Sequence, residues 1–428
     1  MREQWSKRGL VLASIGSAVG IGNIWRFPYL VGKSGGGAFL IPYIIAIIAF
    51  ALPIMLLEFA VGRKFGGSVL SSFKKINSKI KYFGLIPIMI SLFILSYYLV
   101  IAGWTLAYFV FSFNKYLTFE FFTSNLGPLF FFLAALLIAA AVVKLGIRRG
   151  IEKTSMYLLT LLFFAILILL GRAITLPNAL EGIRFFLTPN LSALSNVNIW
   201  MLAFGQAFFS VSVGYGILLT YGSYMTRKEN IPASAVRIAG ADTLTAILAG
   251  FIIFPIVFSF GLSPAAGPEL AFITLPKVFS SMLFGMAFGA VFFFLLFVGA
   301  LTSAVSMLEV GVTSLIDELK FSRLKSTFLV SLFVLVVGLP SVLSYAGFNI
   351  SLLGKPFLDS MDFIFGTLLT PLGGAVTCLF VAWFWGKRAL ILEINRNRAK
   401  WNIPYWTIYL YKFVIPIVLI GLFIVELL

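Results

Sequence analysis

Eleven long apolar segments follow one another along this chain, and they restrict it to folds that a lipid bilayer can hold. Hydrophobic residues make up 61% of the 428 residues and charged residues only 11%, with a mean hydropathy of +1.05. A backbone in hydrocarbon must satisfy its own hydrogen bonds, and segments of roughly 20 to 30 residues do so as α-helices. We therefore predict an all-α membrane protein with about eleven transmembrane helices. They lie near 9–32, 37–63, 82–113, 128–146, 151–171, 197–225, 235–262, 284–318, 324–343, 357–386 and 405–428.

The distribution of basic residues predicts how the chain is oriented in the membrane. The net charge is +17. With the N-terminus in the cytoplasm, 24 of the 32 lysines and arginines fall on the cytoplasmic side. This is the positive-inside bias, so the charge indicates topology and we expect no nucleic-acid partner. Eleven spans then place the C-terminus outside the cell, in a multi-pass protein of the cell membrane.

The chain has few of the side chains that catalysis or metal binding needs. It has no histidine, and its single cysteine, Cys378, lies in an apolar segment. Zinc sites and Cys–His or Ser–His catalysis are thereby excluded. The sequence also has no phosphate-binding loop of the kind that powers an ATP-driven pump. We expect that the protein is not an enzyme.

Two apolar segments contain runs of small residues that favour a break in the helix. Residues 16–23 read GSAVGIGN, and residues 210–216 read SVSVGYG. Each glycine costs a helix roughly 1 kcal/mol relative to alanine. A broken backbone is tolerated in a membrane where it lines a cavity, and breaks in corresponding halves of a chain indicate a transporter's substrate site. The alternative is close helix packing through small residues.

Several motifs occur in the order found in a known transporter family. Residues 16–28 read GSAVGIGNIWRFP, and residues 35–39 read GGGAF. Together with Trp200–Tyr224, Leu301-Thr302-Ser303 and Asp317-Glu318-Leu319, they resemble the signature of the neurotransmitter:sodium symporter family. The resemblance covers essentially the whole chain.

The resemblance implies both an architecture and a function. It implies a single transporter domain of two inverted five-helix repeats, at about 9–171 and 197–386, with helices 1 and 6 broken and an extra helix at about 405–428. It also implies sodium-driven import of an amino acid or small amine by alternating access. Half-helix N-termini suit an anionic group, and unwound carbonyls supply oxygen ligands for sodium.

The same resemblance implies sites for two sodium ions. The residues carried over to the first site are Ala18, Asn23, Ser210 and Asp242. Those carried over to the second site are Gly16, Val19, Gly299, Thr302 and Ser303.

Asp242 departs from the asparagine that the family pattern has at this position. A carboxylate in a membrane span costs roughly 2.5–3.5 kcal/mol, so we expect it to have a partner. Animal members of the family use chloride to balance the charge near the first sodium ion. A fixed carboxylate can supply this negative charge instead of chloride, and we therefore expect that chloride is not required. The alternative is that Asp242 serves only helix packing.

Gly20 indicates the substrate class. Amine transporters of the family carry aspartate at the matching position, whereas glycine leaves room for the carboxylate of an α-amino acid. The side-chain pocket is apolar and aromatic, which predicts a hydrophobic or aromatic L-amino acid. The predicted substrate-binding residues are Ser17, Ala18, Ile21, Gly22, Ile94, Tyr98, Phe209, Ser210, Ser212, Tyr215, Ser303 and Met307.

Charged residues near the two membrane faces are predicted to form gates. The outer gate pairs Arg26 with Asp362, with Asp359 as the alternative partner. The predicted inner gate consists of Arg2, Trp5, Ser223, Tyr224 and Asp317. Two further acids in the spans, Glu58 and Glu309, are expected to accept hydrogen bonds from the unwound segments.

Other functions are compatible with the same fold. They are a non-transporting amino acid receptor, a channel, or a transporter of another small amine. A channel is expected to have a continuous polar pathway, whereas both breaks here point to one enclosed site. The protein is expected to act as a monomer or homodimer.

Overall fold

Helices of membrane length dominate the computed structural model, which describes residues 3–6, 8–112, 118–264, 272–273, 275–281, 283–397 and 402–427. Within these ranges, nine continuous helices are long and apolar enough to cross a membrane. They are span 2 (Gly37–Phe65), span 3 (Ser78–Phe111), span 4 (Gly127–Lys144), span 5 (Ile147–Ala173), span 7 (Ile231–Ser259), span 8 (Gly285–Leu319), span 9 (Arg323–Leu343), span 10 (Phe357–Phe384) and span 11 (Tyr405–Val425).

Two further spans are broken, and both breaks fall where the sequence predicts them. Span 1 consists of Gly9–Ala18 and Gly22–Lys33, whose axes differ by 42°. Span 6 consists of Val197–Ser210 and Ile217–Gly222. Neither half of span 6 could cross a bilayer alone. The all-α membrane architecture predicted from the sequence is confirmed.

The break in span 6 depends on left-handed backbone at three positions. Gly214 and Gly216 have φ angles of 92° and 79°, and Ser212 has a φ of 60°. A Cβ on Gly214 would overlap the carbonyl oxygen of Thr370 in span 10. Glycine at 214 therefore provides both the turn and the close approach of two backbones.

Capping side chains set the starts of several helices. The Asn230 side chain accepts a hydrogen bond from the backbone of Ala233 at the start of span 7. Ser322 does the same for Lys325 at the start of span 9. Each cap satisfies a backbone N–H group that the first helical turn leaves without a partner.

The spans differ in how deeply they are buried. Spans 3 and 8 are the most buried and pack extensively on each other, whereas spans 5 and 11 are mostly exposed on the outside of the bundle. Short helices and one hairpin lie between the spans. They are Val69–Ile76, Phe119–Thr123, Ala179–Leu187, Leu191–Ser195, Leu275–Ser281 and Lys387–Ile394, with the strands Ser351–Leu352 and Lys355–Pro356.

Candidate ion and substrate site

A small cavity lies where the two broken spans face spans 3 and 8. Its volume is about 10 Å³, so the surrounding side chains nearly close it. Nine of the twelve predicted substrate residues line it. The lining residues are Ser17, Ala18, Gly20, Gly22, Tyr98, Phe209, Ser210, Tyr215, Ser303 and Met307. The other three predicted residues, Ile21, Ile94 and Ser212, are buried but are not among the lining residues.

A cluster of polar side chains joins spans 1, 6 and 7 beside this cavity. Asn23 Nδ2 donates to Asp242 Oδ1 at 2.7 Å and to Ser210 Oγ at 3.0 Å. The Ser210 hydroxyl donates to the same Asp242 oxygen at 2.7 Å. Three of the four residues predicted for the first sodium site thus contact one another. The fourth, Ala18, lies on the cavity wall.

The residues predicted for the second sodium site come together where span 8 crosses the break of span 1. The hydroxyls of Thr302 and Ser303 donate to the carbonyl oxygen of Gly299 at 3.0 and 3.1 Å. A Cβ on Gly299 would lie 3.5 Å from the Val19 carbonyl oxygen. A Cβ on Gly16 would lie 3.5 Å from Thr302 Cβ. The five residues therefore form one group drawn from two spans.

Gly20 lies on the cavity wall with no room for a side chain. A Cβ there would lie 2.6 Å from Ser303 Oγ, 3.0 Å from the Tyr98 hydroxyl and 3.2 Å from the Gly299 carbonyl oxygen. Real Cβ atoms essentially never approach other heavy atoms to within 3.0 Å. An aspartate at this position would overlap these atoms.

Hydroxyl groups from three spans meet at one end of the cavity. Ser17 Oγ lies 3.0 Å from Ser212 Oγ and 2.7 Å from Ser306 Oγ. Ser303 Oγ donates to the Ser17 carbonyl oxygen at 2.9 Å. Sequence reasoning missed Ser306. Its position three residues after Ser303 puts the two on one helix face, which is a signal that could have found it.

Two more residues of the site were missed. Tyr43 of span 2 donates its hydroxyl to Asp242 Oδ2 at 3.4 Å. Gln206 is fully buried, and its Nε2 donates to the carbonyl oxygen of Gly22 at 2.7 Å. A glutamine within an apolar span is itself a signal, since polar residues there require a partner.

The predicted outer gate residues face each other above the cavity. Arg26 Nε lies 3.9 Å from Asp362 Oδ2, and the guanidinium carbon lies 4.9 Å from the centre of the Phe209 ring. Arg26 also donates to Gln206 at 3.1 Å. Asp359 accepts a hydrogen bond from Tyr345 instead.

The predicted inner gate is only partly within the described residues, because Arg2 lies outside them. The Trp5 indole donates to the Tyr221 carbonyl oxygen at 2.9 Å, and its backbone N–H donates to the Tyr224 carbonyl oxygen at 3.1 Å. Ser223 donates to a carbonyl one turn before it. Asp317 accepts a hydrogen bond from the backbone of Ser68 at 2.5 Å.

The prediction for the two buried acids is right for one and wrong for the other. Glu58 Oε1 accepts from the backbone N–H of Gly214, in the break of span 6, at 3.0 Å. Glu309 instead pairs with Arg323 of span 9 at 2.5 Å and accepts from the Tyr224 hydroxyl at 2.7 Å. Spans 8 and 9 are joined by a short turn, which brings Arg323 into contact with Glu309.

Comparisons with known proteins identify the family. A sequence model of the sodium:neurotransmitter symporter family matches residues 2–126 and 122–428. The sodium-dependent transporter YhdH of Bacillus subtilis is 36% identical over 98% of this chain and 96% of its own length. A sodium-dependent transporter of Haemophilus influenzae is 34% identical over 100% of this chain and 98% of its own length.

A solved structure agrees with these relatives. The crystal structure of MhsT in complex with L-phenylalanine superimposes with a TM-score of 0.92 and 38% sequence identity, covering 99% of both chains. The resemblance, the multi-pass membrane character and the prediction that the chain is not an enzyme are all confirmed. The protein is a sodium-dependent transporter that belongs to the sodium:neurotransmitter symporter family.

Proposed function

We propose that this protein imports a hydrophobic or aromatic L-amino acid together with sodium, by alternating access across the cell membrane. The observation that carries the proposal is the crowding at Gly20, beside an apolar and aromatic cavity. This crowding excludes the aspartate that would pair with an amine, so the wall at Gly20 supplies no negative charge for an amine substrate. The L-phenylalanine bound to MhsT, which is 38% identical to this chain, supports the same class.

The first sodium ion is assigned to Ala18, Asn23, Ser210 and Asp242. These residues offer a backbone carbonyl, an amide, a hydroxyl and a carboxylate, which are hard oxygen ligands suited to an alkali cation. The Asp242 carboxylate is fully buried, and it accepts hydrogen bonds from the uncharged side chains of Asn23, Ser210 and Tyr43. A cation beside it offsets the unfavourable burial of its negative charge.

The second ion is assigned to Gly16, Val19, Gly299, Thr302 and Ser303. Here the break in span 1 matters, because helical carbonyls are occupied by their own hydrogen bonds and those at a break are free to bind. The backbone turns away from the helix at Val19, where φ is −79° and ψ is 98°. This set contains no carboxylate, so the site relies on neutral oxygen atoms.

The substrate carboxylate is assigned to the same break. The second half of span 1 begins near Gly22, and its N-terminus directs partial positive charge towards an anion. Tyr98 and the first sodium ion complete this end of the site. The substrate side chain then lies among Phe209, Tyr215 and Met307.

The two gates close this site alternately. Arg26 and Asp362 at 3.9 Å form the outer gate, and Trp5 packs on Tyr221 and Tyr224 at the inner one. At 3.9 Å the Arg26 Nε and Asp362 Oδ2 atoms are too far apart for a direct hydrogen bond, which suits a contact that must open in every cycle. The N-terminus is assigned to the cytoplasm and the C-terminus to the outside.

A ligand screen tests the substrate proposal. The unfolding temperature of the purified protein is measured with each of the twenty amino acids, γ-aminobutyrate and serotonin, in sodium and in potassium. We expect bulky apolar and aromatic L-amino acids to raise it in sodium alone, because a ligand that binds the folded state stabilises it by mass action. Binding of γ-aminobutyrate or serotonin, with no response to any α-amino acid, would show that the argument from Gly20 is wrong.

Replacing one ligand of each ion site tests the sodium assignments. Asn23→Ala and Thr302→Ala should each raise the sodium concentration for half-maximal substrate binding by roughly three- to tenfold, because each removes one oxygen from a cation. The measurement is a sodium titration of substrate binding, with folding checked by the unfolding temperature.

The matched control for these variants is Thr160→Ala. Thr160 lies on the exposed side of span 5, and its hydroxyl donates to a backbone carbonyl four residues earlier, much as that of Thr302 does. Its sodium titration should equal that of the wild type. Unchanged titrations in both Asn23→Ala and Thr302→Ala would contradict the assignments.

A further inference from the structure

An apolar groove of about 470 Å³ lies on the outside of the bundle and shares no lining residue with the substrate cavity. Spans 3, 8 and 9 form its walls. We call it the inner groove, because it lies at the ends of these spans that border the lysine-rich loops. Its main apolar residues are Leu85, Met89, Leu92, Leu315, Leu319 and Phe333.

The shape of the inner groove suits an acyl chain. From Leu85 to Leu92 the helix rises about 10 Å, so the groove extends that far from the membrane surface towards the bilayer centre. Met89 is 36% exposed and Leu319 is 54% exposed along its rim. Apart from Ser314 and Glu318, the side chains that line the groove are apolar, so a lipid tail there covers few polar groups.

Basic residues surround the mouth of the groove. Lys325 Nζ lies 3.9 Å from the centre of the Phe321 ring, and Phe321 is itself a groove residue. Among the described residues, Lys325 has no carboxylate within 4.0 Å. On the opposite wall, Lys81 Nζ lies 3.1 Å from Glu318 Oε2.

The charge at the mouth therefore suits an anion. Lys320 adds a third cation and donates to the Asp317 carbonyl oxygen at 2.7 Å. The nearby acids are Glu318, which is paired with Lys81, and Asp317, which accepts from the Ser68 backbone. Lys325 is thus left to meet a ligand, and basic pockets between helices on the cytoplasmic side recognise anionic lipid headgroups.

We propose that the inner groove binds an anionic phospholipid, with its headgroup on Lys325 and Lys81 and one acyl chain between spans 3, 8 and 9. The lipid would contact three spans at once. One of them, span 8, also contains the ion-site residues Thr302 and Ser303. This site is independent of the substrate and ion sites proposed above.

A lipid titration of the purified full-length protein tests the proposal. The unfolding temperature is measured against added dioleoyl phosphatidylglycerol or dioleoyl phosphatidylcholine, which share acyl chains and differ in headgroup charge. We expect phosphatidylglycerol to stabilise the protein at lower concentration. The double variant Lys81→Gln/Lys325→Gln should weaken its apparent affinity by about thirtyfold, since each lysine near the surface contributes about 1 kcal/mol and about 1.4 kcal/mol corresponds to a tenfold change.

Two further variants distinguish binding at the groove from general attraction of an anionic lipid to the basic membrane face. Lys144→Gln/Lys153→Gln removes two exposed lysines elsewhere on the same membrane face and should leave the preference for phosphatidylglycerol intact. Met89→Trp fills the groove at its exposed rim and should weaken the response to phosphatidylglycerol with the lysines unchanged. Equal responses to both lipids, or an equal loss in the two lysine double variants, would overturn the proposal.

Discussion

Asp242→Asn is expected to weaken sodium binding at least about tenfold. Two unit charges about 4 Å apart attract by about 4 kcal/mol at the effective dielectric of a protein, and part of this is lost with the carboxylate. Asparagine keeps the shape and can still accept from Asn23 and Ser210, so the protein should fold. The measurement is the sodium dependence of substrate binding, in chloride and in gluconate.

Comparing substrate binding in chloride and in gluconate tests whether the charge that compensates sodium is fixed. The wild type should bind substrate equally well in chloride and gluconate, because its compensating charge is fixed. Asp242→Asn should bind sodium and substrate more tightly in chloride than in gluconate, because a mobile chloride ion can replace the missing negative charge. Asp359→Asn, which neutralises an acid bonded to Tyr345, is the matched control and should behave like the wild type. Chloride dependence of the wild type, or unchanged sodium affinity in Asp242→Asn, would leave Asp242 with a packing role alone.

Gly20→Ala should weaken substrate binding by at least about tenfold, because the added methyl group overlaps Ser303 Oγ at 2.6 Å. Ser303 can rotate away only by giving up its bonds to the Ser17 and Gly299 carbonyl oxygens. Overpacking of this kind costs typically 1–3 kcal/mol. Substrate affinity at saturating sodium measures the effect.

Gly240→Ala is the control for this substitution. Gly240 lies within span 7, and a Cβ there would meet nothing within 4 Å. Alanine should preserve substrate affinity and slightly favour the helix. If Gly20→Ala binds substrate as tightly as the wild type does, the crowding at Gly20 does not determine substrate affinity.

The spans and their breaks could be predicted because each depends on local chemistry. Apolar segments of sufficient length must become helices in a bilayer, and the glycines at 16–22 and 214–216 weaken the helix where they stand. The φ of 60° at Ser212 could not be predicted, because serine rarely adopts left-handed backbone and only the surrounding packing holds it there.

The partners of the buried polar groups were harder to predict. The sequence places Asp242 in span 7, but the rotation of that helix decides whether its carboxylate meets Asn23 or the lipid. For Glu309 the expected partner was wrong, because the nearest cation, Arg323, lies on the next helix and not at a break. Tyr43 and Gln206 were missed for the same reason, since their contacts join spans that are distant in sequence.

The repeat boundaries at about 9–171 and 197–386, the count of two sodium ions and the monomer or homodimer state stay predictions. They depend on internal symmetry, on ion occupancy and on association between chains. The binding experiments above address the ions. Cross-linking in the membrane would address the oligomeric state.

Uptake into proteoliposomes tests the central claim most directly. Purified protein is reconstituted, and L-phenylalanine or L-leucine accumulation is followed under an inward sodium gradient with gluconate as the only external anion. We expect accumulation above the external concentration, which collapses when sodium is replaced by potassium. Sodium-dependent binding without accumulation would indicate a receptor, and accumulation that is the same in potassium would contradict sodium coupling.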